Sequence, residues 1–174
     1  MKNNRHKGFS MIELILVIGI MGIFTALSSI GFGYLQSGNV KSAARNIDAT
    51  LTKLRLDTMK QTNSPTMYIY KKGSDYYMYC TANTFLVPGE GSAAVGQKIG
   101  NRNVTISAQK GGSEKTLASG ESFNIKFKKG SGAFSSTDIT HIYVKHTDDQ
   151  GRIQGIVYDI EMIPETGKHF INVN

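Results

Sequence analysis

The side chains able to do chemistry are few in this chain and widely dispersed. His141, His146 and His169, with Asp148, Asp149 and Asp159 at modest sequence distances, are the candidates for metal binding or acid–base work. None stands at a recognised spacing. His141 and His146 are five residues apart, which on a strand puts them on opposite faces, and neither a cysteine partner nor an HExxH pattern accompanies them. Gly89, Glu90 and Gly91 belong to a glycine-rich stretch that lacks the GxxxxGK[ST] order needed to cradle phosphate. The single cysteine, Cys80, rules out an intramolecular disulfide; with no cationic activator near it in the sequence, it reads as a small buried hydrophobe. No catalysis, metal or cofactor is expected. The one ionisable group in an unusual place is Glu13, which is the only charge in the apolar run over residues 9–35. A carboxylate deep in such a run costs about 2.5–3.5 kcal/mol on membrane-insertion scales, so it implies a partner of opposite charge.

The element that must position Glu13 is a helix. Residues 14–35 form a charge-free stretch of 22 residues, long enough at about 1.5 Å per residue to cross a hydrocarbon layer that needs about 20. Lys2, Arg5 and Lys7 precede it, and such a cluster stays cytoplasmic, which predicts an N-in, C-out topology in the inner membrane with everything after Leu35 outside. A secretory signal peptide is the competing reading, since Ala26, Leu27 and Ser28 loosely fit a small-x-small cleavage pattern. Glu13 argues against it, because a discarded targeting segment has no use for a buried acid.

Gly8, Phe9, Ser10, Met11, Ile12, Glu13 and Leu14 follow one another in an order that resembles the processing signal of type IV pilins and type II secretion pseudopilins, usually G-F-T-L-I-E-L before an apolar helix. The resemblance implies cleavage between Gly8 and Phe9 by a prepilin peptidase and N-methylation of the new Phe9 amine. It also implies a role for Glu13 in assembly, where it meets the Phe9 amine of another subunit. The residues themselves allow an intrachain pair as well, since Phe9 and Glu13 lie one helical turn apart. Ser10 and Met11 depart conservatively from the usual Thr and Leu. Many such proteins carry proline at the position of Ile30; its absence leaves the site of any kink open among Gly31 and Gly33.

Beyond Gly31, Gly33, Ser37 and Gly38, which are expected to interrupt or loosen the helix, the pattern resumes. Val40, Ala44, Ile47, Leu51, Leu54 and Thr58 recur at spacings of three and four, with Lys41, Arg45, Asp48, Thr52 and Arg55 on another face. Asn63, Ser64 and Pro65 end it. From Thr66 the signals become those of strands: 66–71 and 76–81 about a Gly73 turn, 123–127, 139–145, 152–163 and 168–173, six or seven in all. Residues 87–101 and 109–120, rich in Gly and Ser, read as exposed loops. The expected fold is α+β, a long N-terminal helix with a transmembrane half and an amphipathic half packed on an antiparallel sheet. The expected division is a cleaved leader over 1–8, a membrane or filament-core helix over 9–35, and an extracytoplasmic domain over 36–174 with its helix at about 39–63 and strands over 66–173. The helix-then-hairpin order and the turn at Thr166, Gly167 and Lys168 are also similar in outline to the H-type pseudopilin or FimT-like branch.

The formal charge is +7, but with the three leader cations set aside 17 basic residues face 13 acidic ones. That modest excess suits a solvated surface. Lys126, Lys128 and Lys129 read as a basic strand edge that blocks sheet aggregation. The function that fits is a structural subunit, a minor pilin or pseudopilin whose partners are the peptidase, other pilin subunits, the inner-membrane assembly platform and membrane lipid. A DNA-receptor minor pilin of an uptake machine is the alternative, with nucleic acid as partner. An ordinary anchored or secreted β-domain is a third.

Overall fold

The computed structural model describes residues 10–60, 64–89, 91–135, 138–148 and 150–174, with the side chains of 26–37 left aside. The chain divides into two compact units, Met1–Leu35 and Gln36–Asn174. One helix, α1 (Met11–Lys60), supplies residues to both. Its backbone is helical through Gly31, Gly33, Ser37 and Gly38, so the expected interruption is absent. It ends at Lys60 rather than near Asn63, and residues 61–63 lie outside the described set.

Among the described residues nine strands follow, where six or seven were expected. They are β1 (Thr66–Lys72), β2 (Asp75–Thr81), β3 (Gln97–Gly100), β4 (Val104–Lys110), β5 (Ser113–Thr116), β6 (Ser122–Lys126), β7 (Ile139–His146), β8 (Tyr158–Ile163) and β9 (Lys168–Val173). They form two sheets, ordered β3-β2-β1-β6 and β5-β4-β7-β8-β9, and every pair of neighbours is antiparallel. The helical stripe, both sheets and their inward residues share a single core. Val40, Ala44, Ile47, Leu51, Leu54 and Thr58 are all at most 3% exposed, as the spacing predicts. Period-two burial supplies the rest: Met67 and Ile69 on β1, Ile106 and Ala108 on β4, Ile142 and Val144 on β7, Ile160 and Met162 on β8.

Four expectations need correction. Residues 87–101, expected as an exposed loop, end in β3. Residues 109–120 hold the end of β4 and all of β5, joined by Gly111 and Gly112 at φ of 57° and 86°. Two successive positive φ angles make the tight hairpin turn that matches strand twist, so these glycines mark a hairpin and not a loop. The strand expected over 152–163 begins only at Tyr158. Before it, the Asp148 carboxylate accepts from the backbone N–H groups of Gln150 and Arg152 and from Arg152 Nε, which curls the chain, and Gly155 at φ 75° keeps it out of extended geometry. Cys80 is exposed rather than buried. β3 pairs with β2 only as far as Met78↔Gln97, which leaves the last residues of β2 uncovered on that side.

Side chains from α1 hold the far loops. Arg55 donates from Nε to Gly132 O at 3.2 Å and from Nη2 to Thr166 O at 3.0 Å. One guanidinium thereby closes the loop after β6 and the β8–β9 turn onto the helix.

Candidate functional site

The motif begins at the start of α1. Ser10 O accepts from the N–H groups of Glu13 and Leu14 at 3.0 and 3.2 Å, so Ser10 opens the helix and Glu13 lies in its first turn. A carboxylate there is favoured by the helix dipole. Gly8 and Phe9, the expected cleavage and methylation residues, lie outside the described set, as does Asp149.

The described helix around Glu13 is apolar from Met11 to Phe24. Eleven large hydrophobic side chains between Met11 and Phe24 are 45–84% exposed. Burying such a side chain is worth about 1.5–3 kcal/mol, so together they leave on the order of 10–20 kcal/mol unrealised in water, comparable with the entire stability of an average domain. Gly19 and Gly22 have no atom within 4 Å of where a Cβ would stand, so no described contact within the chain requires their smallness. Thr25 satisfies its hydroxyl internally, donating to Met21 O at 2.7 Å. Among the described residues no helix is long and apolar enough to cross a membrane. The 14–35 run expected to do so continues into residues 26–35, whose side chains lie outside the described set.

His141, His146 and His169 are placed apart, and each meets a polar neighbour within the domain. His141 and His146 fall on opposite faces of β7, as their spacing predicts. His146 is buried with Nδ1 2.6 Å from Asn103 O. His141 Nδ1 lies 3.0 and 3.2 Å from the two oxygens of Asp159, and its ring stacks on Tyr143. His169 packs against α1, with Nε2 3.1 Å from Thr52 Oγ1 and 3.3 Å from both Asp48 O and Asp48 Oδ1. The sequence carries no signal for that last pairing, which spans more than a hundred residues. Among the described residues no group of three or more His, Cys, Asp or Glu side chains is placed to hold a metal ion. Cys80 opens onto a groove of about 410 Å³ lined in part by Lys53 and Asp57, and partial burial raises its thiol pKa, which disfavours the thiolate.

The face of the larger sheet turned away from the core carries a polar network. Lys145 donates to Glu114 Oε1, which also accepts from Ser107 Oγ. These bonds, the lysine's first, hold the Glu114 carboxyl below its ordinary value of 4.5. A depressed carboxylate adds stability above pH 4.5 that is lost as pH falls through the lower folded-state value. Glu114→Gln should therefore lower the melting temperature at pH 7 and make no difference in strong acid. Melting curves of both proteins across pH 2–7 check this; a gap that stays constant with pH would refute it.

No curated protein and no solved structure matches this chain. Residues 3–29 match the family model of the prokaryotic N-terminal methylation motif. That segment contains Gly8, Phe9 and Glu13, and by it the chain carries the signal of type IV pilins and pseudopilins.

Proposed function

We propose that this chain is a minor structural subunit of a type IV filament or of a type II secretion-like pseudopilus. A prepilin peptidase cuts between Gly8 and Phe9, the Phe9 amine is methylated, and residues 9–35 anchor the chain in the inner membrane, N-in and C-out. Assembly draws the apolar helices together and carries the domain over 36–174 on the outside. The observation that carries this reading is the methylation motif over residues 3–29. The bare apolar surface around Glu13 supports it, because lipid or neighbouring helices are the environments in which that surface is stable. Glycines without intrachain neighbours suit close helix–helix approach.

The motif points to a structural protein, and the domain's histidines, tied to Asp159, Asn103 and α1, are in keeping with that. The test is the mass of the mature N-terminus of protein recovered from its own membranes. A chain beginning at Phe9 and bearing one additional methyl group is expected. A chain beginning at Ser29, or one retaining Met1, would overturn the assignment.

A further inference from the structure

Each sheet has two edges, and the four edge strands treat their free backbone groups differently. β5 is four residues long, fully exposed, and carries Glu114 and Lys115. β3 is as short and meets its neighbour across an irregularity between Tyr76 and Tyr77. β6 ends in Lys126 and is capped by returning chain, with Ser135 N–H donating to Lys126 O at 2.7 Å. Shortness, charge, bulges and covering segments are the devices that keep a sheet edge from pairing. β9 has none of them beyond a charge at its first residue. Its six residues keep unbroken register with β8 and include no proline, and its one formal charge, that of Lys168, stands at the very start.

The phase of the ladder fixes which groups are free. Val157 and Asn174 exchange two hydrogen bonds, each 3.0 Å long. Antiparallel ladders alternate such pairs with unbonded ones. Since Asp159 faces Asn172 and Glu161 faces Phe170, the N–H and C=O of Phe170 and Asn172 point at β8. Those of His169, Ile171 and Val173 point away from the sheet, and no described group bonds to them. Phe170 and Val173 are 50% and 60% exposed beside this edge.

We propose that the outer edge of β9 is a docking site for an extended segment of a partner protein, which adds a sixth strand through the backbone of His169, Ile171 and Val173. Three donors and three acceptors spaced two residues apart are matched by one kind of ligand, a peptide in β conformation. Alternating apolar residues suit it, one set beside Ile171 and Val173 and the other beside Phe170. A second copy using its own β9 would protect the same three residues, but in proportion to protein concentration. The free edge does not depend on the anchoring proposed above.

The probe is a synthetic peptide with the sequence of residues 168–174, added at millimolar concentration to the full chain in detergent micelles, with amide hydrogen exchange as readout. Without peptide, Phe170 and Asn172 exchange slowly and His169, Ile171 and Val173 rapidly. With peptide, those three slow at least about tenfold while the other two are unchanged. Val173→Pro removes one outward N–H without touching a β8 bond, and proline is tolerated on an edge strand; it abolishes the protection of His169 and Ile171, whereas Val173→Thr keeps it. If the proline variant also loses protection at Ile142 and Val144 in the core, a peptide N-methylated at the positions of Phe170 and Ile171 takes its place and must be inert. Absent slowing, or slowing that survives these blocks, overturns the site. Protection without peptide that grows with protein concentration overturns the choice of partner, because a second copy then fills the edge. None of these readouts depends on processing at Phe9.

Discussion

Gly167→Ala is expected to destabilise the folded domain by roughly 3–5 kcal/mol, enough to unfold a large fraction of the protein, because two penalties coincide at one residue. Gly167 closes the β8–β9 turn at φ 66°, donating its N–H to Ile163 O at 2.9 Å. A side chain there is strained by about 1–2 kcal/mol whatever the space. The space is also absent: a Cβ would stand 1.8 Å from Gly132 O and 2.8 Å from Gly132 C. Both contacts are with backbone, so no rotamer change relieves them, and the loop that Arg55 fastens at Gly132 and Thr166 would have to move. Gly73 is the matched control. It has φ 59° but nothing within 4 Å of its Cβ position, so Gly73→Ala bears the conformational cost alone. Urea denaturation of both variants in the same detergent separates the terms. Equal midpoints for the two would show that the Gly132 approach carries no energy.

This pair of loops illustrates where sequence reasoning reached and where it stopped. Each element with a strong period was legible. The 3.6 period from Val40 to Thr58 placed six buried residues correctly, and the turn signals between strands placed β7 and β9 within a residue of their bounds. The failures came where composition was allowed to outweigh local geometry. β4 has Val104, Ile106 and Ala108 facing the core, but small polar residues between them and the glycines after it hid the alternation. Gly111 and Gly112 held a readable hairpin signal that was taken for looseness. Contacts between elements distant in sequence had no signal at all. Arg55 and Asp48 sit on the polar face of α1, and their spacing does not show that one fastens two loops and the other meets His169. Cys80 was misplaced for a related reason, since its burial depended on how far β3 runs along β2. The methylation motif was the most legible part, because it rests on contiguous residue types rather than on tertiary packing.

The misfit charge also gives the largest functional effect. Glu13→Ala should leave the chain in the membrane and reduce its incorporation into filaments by two to three orders of magnitude. Insertion is set by the apolar run, and removing a carboxylate from it relieves a cost of about 2.5–3.5 kcal/mol, so the anchor is if anything strengthened. Assembly is different. Moving an apolar helix from lipid into a bundle of helices gains little hydrophobic free energy, which leaves packing and specific pairs to decide. Breaking a buried ion pair by removing one partner costs about 3–5 kcal/mol, since the other charge, which on the proposed pairing is the Phe9 amine of a neighbouring subunit, stays buried and uncompensated. At about 1.4 kcal/mol per factor of ten, that loss is the stated two to three orders of magnitude. Glu13→Gln keeps the shape and hydrogen-bonding capacity but not the charge, and should fail nearly as badly if electrostatics dominates. Quantifying the variant in membrane and sheared-filament fractions decides the matter. Wild-type incorporation of Glu13→Ala would remove the acid from assembly, and loss of the variant from the membrane would instead make Glu13 part of the anchor.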